Sequence, residues 1–223
     1  AGAAPPGEPV PVLPPETTGN PAPAGPPAST GGAKRMTIEL VSSLATVTVR
    51  TRDLGDDLVR VRTSDGVKAR LTRSAGRVRL LLTRGGDPVA AAAQITLDDE
   101  VRWTVRVGGG AAEGVLDLTR VAPVAVELAG GGARIDLRLP ASDGVLPIRV
   151  IDGVNKLLLR TPAEVPVRFK ARAGAGKVDL YGRVTRTGIA RGDVVRTPPG
   201  AAGGGRIDVD ATGGLGSLTV ARA

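Results

Sequence analysis

The stretch Val124-Ala125-Val126-Glu127-Leu128-Ala129-Gly130-Gly131-Gly132-Ala133-Arg134-Ile135-Asp136-Leu137 decides the fold. Apolar residues alternate with others on both sides of a glycine run, the two-residue period of half-buried strands joined by a tight turn. The block recurs. Taking Ile135 as reference, the equivalent residues are Leu157, Val178 and Leu218. Nine positions upstream stand Val126, Ile148, Phe169 and Val209, eleven upstream Val124, Leu146, Val167 and Ile207, and two downstream Leu137, Leu159, Leu180 and Val220. Four before each reference the residue is glycine: Gly131, Gly153, Gly174 and Gly214, a placement that predicts turns with positive φ. Prolines Pro140, Pro147, Pro162 and Pro166 are assigned to the return connections, because proline cannot donate to a ladder.

The references are 22, 21 and 40 residues apart, a period near 21 with one insertion between Tyr181 and Gly205. A degenerate fifth copy carries Met36, Ile38, Leu40, Val47 and Val49, with Ser43 at the turn position. Further strand-like runs cover Leu58 to Val61, Val78 to Leu82, Ile95 to Leu97 and Val101 to Val107, the last leading through Gly108-Gly109-Gly110 into Val115 to Leu118 as a stretched copy. No amphipathic helix is expected. Such a period predicts an all-β chain, a β-solenoid of single-stranded β-helix type with coils of about 21 residues and glycine turns. The alternative is an antiparallel β-sandwich in which each block is a hairpin. With one Trp, one Tyr and one Phe in 223 residues, a narrow core of stacked Val, Ile and Leu is favoured.

Ten of the 18 prolines fall between Ala1 and Ser29, so residues 1–33 read as a Pro/Ala/Gly-rich disordered linker. Residues 34–223 then form the repeat domain, with an inserted loop at 181–205. The chain has neither Cys nor His, which excludes disulfides, thiolate sites and Ser-His or His-zinc chemistry. No run reaches the roughly 20 apolar residues of a membrane helix. Its start at Ala1-Gly2-Ala3-Ala4 reads as a processed or truncated product from which a signal peptide or anchor has been removed.

The net charge of +8 is compatible with an anionic partner and equally with an Arg-rich solvated surface. If copies stack in register, Arg134, Lys156 and Lys177 form one basic column, with Arg149 and Lys170 as further candidate anion-binding residues. The competing account is a solvated face balanced by Glu127, Asp136 and Asp179. Nucleic acid is an unlikely partner, because single-strand binders add aromatic platforms. The glycine-aspartate sequence around Asp136 is one residue out of phase with calcium-binding β-rolls, and a one-residue shift turns a strand side chain to the other face. Metal and cofactor sites are therefore not expected. The carboxylate clusters Asp98-Asp99-Glu100 and Asp56-Asp57 have no spacing that argues for acid and base roles. Arg183, Arg186, Arg191 and Arg196 give the insertion a basic character.

The sequence from Trp103-Thr104-Val105-Arg106-Val107-Gly108-Gly109-Gly110-Ala111 through Val115-Leu116-Asp117-Leu118 to Val124–Ala133 resembles the extracytoplasmic repeat domain of high-GC bacterial envelope proteins. It is similar to the C-terminal, toastrack-type domain of cell-wall-antibiotic-response membrane proteins of the LiaF type. That resemblance covers Trp103 to Ala223. It implies a non-enzymatic, extracytoplasmic β-solenoid, membrane-tethered or secreted, that binds, senses or scaffolds at the cell envelope. The partners expected are an anionic envelope polymer or lipid headgroups compensating the basic column, or a membrane protein, or a second copy of the chain. The alternative is a self-assembling filament or surface-layer protein, because uncapped coils expose unpaired strand edges.

Overall fold

In the computed structural model, which describes residues 34–84, 91–141, 143–197 and 205–223, every regular element is a strand. The expected linker over 1–33 lies outside these residues. In chain order the strands are β1 (Arg35–Leu40), β2 (Leu44–Arg52), β3 (Val59–Thr63), β4 (Val67–Ser74), β5 (Arg77–Arg84) and β6 (Ala92–Asp98). They continue with β7 (Arg102–Val107), β8 (Ala111–Asp117), β9 (Ala125–Leu128), β10 (Gly132–Arg138), β11 (Val145–Val150) and β12 (Val154–Thr161). The last six are β13 (Val167–Ala171), β14 (Ala175–Leu180), β15 (Val184–Ile189), β16 (Val194–Arg196), β17 (Arg206–Ala211) and β18 (Leu215–Arg222).

Each repeat contributes one strand to each of two nine-stranded sheets. The first sheet runs β16-β13-β17-β11-β9-β7-β1-β5-β4 and the second β15-β14-β18-β12-β10-β8-β2-β6-β3. This decides between the two expected architectures. In a sandwich of hairpins the strands of one block would pair with each other. Here they part into different sheets and pair in parallel with the same strand of neighbouring blocks, as in β10 with β12 and β11 with β17. The fold is a β-solenoid.

Register follows the sequence repeat. Val178 lies opposite Leu218, Leu218 opposite Leu157, and Leu157 opposite Ile135. On the first sheet Phe169, Val209, Ile148 and Val126 form the matching row. The row extends into the N-terminal half through Val105, Ile38 and Val78, so the degenerate copy is a full coil. All of these first-sheet and reference residues are buried in one continuous core. Burying each Val, Leu or Ile contributes about 1.5 to 3 kcal/mol.

The order of coils in space departs from their order in the chain. Coil β17–β18 is inserted between β11–β12 and β13–β14, and coil β1–β2 between β7–β8 and β5–β6. The cause lies at the two ends. After β14 the chain turns back into β15, antiparallel to β14, and then lays β16 antiparallel against β13. The outer edge of that coil is thereby occupied, and the next coil pairs on its inner side. At the other end β3 and β4 cover β6 and β5 in the same antiparallel manner.

The insertion at 181–205 is thus not a solvent loop over its described part. It is an end cap. Its first turn holds Tyr181 at φ 57°, a left-handed conformation that strains a non-glycine residue. The Tyr181 hydroxyl hydrogen-bonds Thr161 Oγ1 at 3.0 Å and accepts from Val165 N–H at 3.1 Å, tying the cap to the β12–β13 connection.

Two further expectations are corrected. Among Gly131, Gly153, Gly174 and Gly214, only Gly174 has positive φ. Pro147 lies inside β11 rather than in a connection. It is tolerated because the ladder of β11 with β9 begins one residue later, at Ile148 opposite Val126.

Candidate functional site: an arginine groove

Outward-facing side chains of a parallel stack form rows along its axis, and the two outer faces use them differently. On the first sheet one row reads Lys170, Asp210, Arg149, Glu127, Arg106, Glu39 and Arg79. Its sign alternates at every step. Ion pairs close along it: Arg79 to Glu39 at 3.1 Å, Arg106 to Glu39 at 3.7 Å and to Glu127 at 3.8 Å, and Arg149 to Glu127 at 3.3 Å. Of the two anion-binding candidates from sequence, Arg149 is therefore ion-paired within the ladder, and Lys170 stands at its end, opposite Asp210. Such exposed pairs contribute about 0 to 1 kcal/mol each, less than a single core residue.

At one end of this ladder Arg172 donates twice to Asp210, Nε to Oδ1 and Nη2 to Oδ2, both at 2.7 Å. The Arg172 hydrogen bonds hold the Asp210 carboxyl below the usual carboxylate range against partial burial, aided by the charges of Arg172, Lys170 and Arg149. A carboxyl whose folded pKa is depressed contributes stability above its unfolded pKa, and loses it as pH falls through the folded value. Asp210→Asn is therefore expected to lower the melting temperature at neutral pH. The gap from wild type should close in strong acid, below the usual carboxylate range. Thermal unfolding of both proteins across that range checks it, and a gap independent of pH would contradict it.

The second candidate row is interrupted. Arg134 and Lys156 are cross-strand neighbours, but Ser217 stands between Lys156 and Lys177, and Glu113 lies on the other side of Arg134. The insertion of β18 separates what the sequence order places side by side.

A cluster of arginines lies elsewhere on the same face, toward the β3 end. Two adjoining open cavities of about 770 and 360 Å³ share Arg50, Arg52 and Asp53. The six arginines lining them are Arg50, Arg52, Arg60, Arg62, Arg120 and Arg138, against the carboxylates Asp53 and Asp117. β2 supplies Arg50 and Arg52 and β3 supplies Arg60 and Arg62, each pair two residues apart and so on one side of its strand. Three of the six are paired: Arg60 with Asp57 at 2.7 Å, Arg120 with Asp99 at 2.8 Å, and Arg138 with Asp136 at 3.8 Å. Arg50, Arg52 and Arg62 have no ion pair among the described residues.

The carboxylate clusters frame this groove as counter-charges. Asp98 is buried and accepts from Leu54 N–H at 3.3 Å, while Asp99 and Asp57 hold Arg120 and Arg60. Asp136 faces outward, as its phase relative to Ile135 requires, and accepts from Arg160 Nε at 3.3 Å. Among the described residues no group of three or more acidic side chains is placed to hold a metal ion.

Sequence reasoning missed the groove because its arginines come from four separate segments, of which only that of Arg138 belongs to a clear repeat. The available signal was the pair of Arg-x-Arg doublets, Arg50-Thr51-Arg52 and Arg60-Val61-Arg62, each at the end of a strand-like run.

The fold is similar to that of the crystal structure of a "putative cell adhesion protein" from Clostridium sporogenes, with a TM-score of 0.54 and 12% sequence identity over 86% of this chain and 95% of that one. At that identity the likeness concerns the fold alone. No family model matches the chain. No curated protein matches it either.

Proposed function

We propose that this chain is a non-enzymatic binding and scaffolding module of the bacterial cell envelope, acting outside the cytoplasm. The observation that carries the reading is the contrast between its two faces: along one sheet ion pairs link successive charges, whereas an open groove on the other holds three exposed arginines, Arg50, Arg52 and Arg62, with no ion pair among the described residues. The carboxylates around that groove are occupied by arginines and backbone amides, an arrangement suited to holding shape and charge rather than to proton transfer. The clostridial protein of similar architecture, described as a cell adhesion protein, supports a role at a surface.

The filament alternative is disfavoured by the ends. The outermost strands carry Arg60 and Arg62 on β3, Lys68, Arg70 and Arg73 on β4, Arg186 on β15 and Arg196 on β16, so end-to-end stacking would bring like charges together. Among the described residues no helix is long and apolar enough to cross a membrane. The reading is tested by mixing the purified chain with isolated envelopes of a high-GC bacterium. Saturable co-sedimentation is expected. A chain that stays in the supernatant at every concentration would overturn it.

A further inference from the structure

We propose that the arginine groove is a binding site for a linear polyanion, a chain of repeat units carrying carboxylate or phosphate groups, laid along the solenoid axis; this deepens the binding role proposed above. Register sets the arrangement. One outward row places Arg60 on β3, Thr96 on β6, Arg50 on β2, Asp117 on β8 and Arg138 on β10. Adjacent strands lie about 4.8 Å apart, so arginines recur every second strand, about 9.6 Å apart, over a span of about 19 Å. Arg62 lies to one side of this row, opposite Gln94, and Arg52 to the other, opposite Asp98. The positive charge forms a track along the axis rather than a single point.

Guanidinium groups suit such a ligand. Each offers a planar fork of donors that matches a carboxylate or phosphate bidentately, and remains charged at any physiological pH. Arg50, Arg52 and Arg62 are exposed and have no ion-pair partner among the described residues, so an incoming anion displaces no existing bridge. Repulsion among neighbouring arginines is relieved when the anion arrives.

The shape selects a chain over the other anionic partners. A recess open along its length admits a polymer, whereas a bilayer presents headgroups in a plane and meets the rim before the floor. No aromatic side chain lines the two cavities, so a nucleic acid strand would find charge without stacking platforms. The ladder of the first sheet offers no comparable site, since Arg79, Arg106 and Arg149 are already ion-paired to Glu39 or Glu127.

The test uses the full chain with polygalacturonate as the carboxylate polymer and linear polyphosphate as the phosphate polymer, in titration calorimetry at low salt. Binding to at least one is expected, and the affinity should fall by about tenfold or more on raising salt to several times the physiological level. Among oligogalacturonates, affinity should rise with length until the chain spans the 19 Å track and then level off. The combined variant Arg50→Gln, Arg52→Gln, Arg62→Gln should lose about tenfold or more in affinity with its circular dichroism spectrum unchanged. The variant Arg134→Gln, Lys156→Gln, Lys177→Gln should bind like wild type. A groove variant that binds like wild type would overturn the proposal. So would tighter binding to phosphatidylglycerol vesicles or to single-stranded DNA than to either polymer. Loss of fold in the triple variant shifts the decision to Arg62→Gln alone and to the length series, where no dependence on length refutes the track. Envelope co-sedimentation without polymer binding would sink this inference and leave the scaffold reading standing. Polymer binding without co-sedimentation would do the reverse.

Discussion

Replacing Trp103 with alanine is expected to destabilise the protein by about 3 to 5 kcal/mol, the range for removing a large buried aromatic side chain. Trp103 in β7 is fully buried, beside Met36 of β1 in the core row. Its indole Nε1–H donates to the Asp98 carbonyl at 2.8 Å. Alanine would open a cavity in a close-packed core and leave that carbonyl without this donor. The loss reaches the groove as well, because the 98–101 turn that Trp103 anchors carries Asp99, the partner of Arg120. Trp103→Phe separates the two contributions: most of the apolar volume stays, the hydrogen bond goes, and a smaller cost of about 1 to 3 kcal/mol is expected. Urea unfolding followed by far-ultraviolet circular dichroism measures both. A cost below about 1 kcal/mol for Trp103→Ala would mean that the indole does not fill the core.

What the sequence made legible is what depends on period. Ile135, Leu157, Val178 and Leu218 sit in one row because a strand alternates its faces and every coil has the same length between its turns. The same logic placed the Val126 row on the opposite sheet. Order along the axis was not legible. Nothing in the spacing of Val178 and Leu218 says that the later coil slips inside the earlier one. That displacement is set by the antiparallel cap of β15 and β16, which a 40-residue interval shows only as an insertion. The basic column failed for the same reason, Ser217 of the displaced coil having come between Lys156 and Lys177. The arginine groove was hidden for another: the register that joins Arg60 to Arg50 runs through β6, in a coil that is stretched between its two strands.

Of the four turn glycines only Gly174 has the positive φ expected of all, and a pair of adjacent substitutions separates turn conformation from close approach as the reason for the others. Gly213→Ala is expected to cost about 3 kcal/mol, and Gly214→Ala less than about 0.5 kcal/mol or to be slightly stabilising. Neither residue has positive φ, so a left-handed turn would distinguish neither. Stacking does. Coils at a strand's spacing bring turn backbones into contact, and a methyl group at Gly213 would overlap the carbonyl carbon and oxygen of Asp152 in the neighbouring coil. Backbone cannot rotate aside as a side chain can, so the coils would have to separate locally, breaking the hydrogen bond from Gly213 N–H to Val150 O at 3.2 Å. At Gly214 the added methyl meets nothing within 4 Å, and alanine narrows the unfolded ensemble. Gly130 repeats the first situation against Gly109 at the middle of the stack, with three strands between its coil and either cap, so Gly130→Ala should behave like Gly213→Ala. Thermal and urea unfolding of the three variants settle it. Equal costs at Gly213 and Gly214 would return the explanation to turn conformation, whereas a large cost confined to Gly213 and Gly130 makes close approach between coils the reason this chain carries glycine at those two positions.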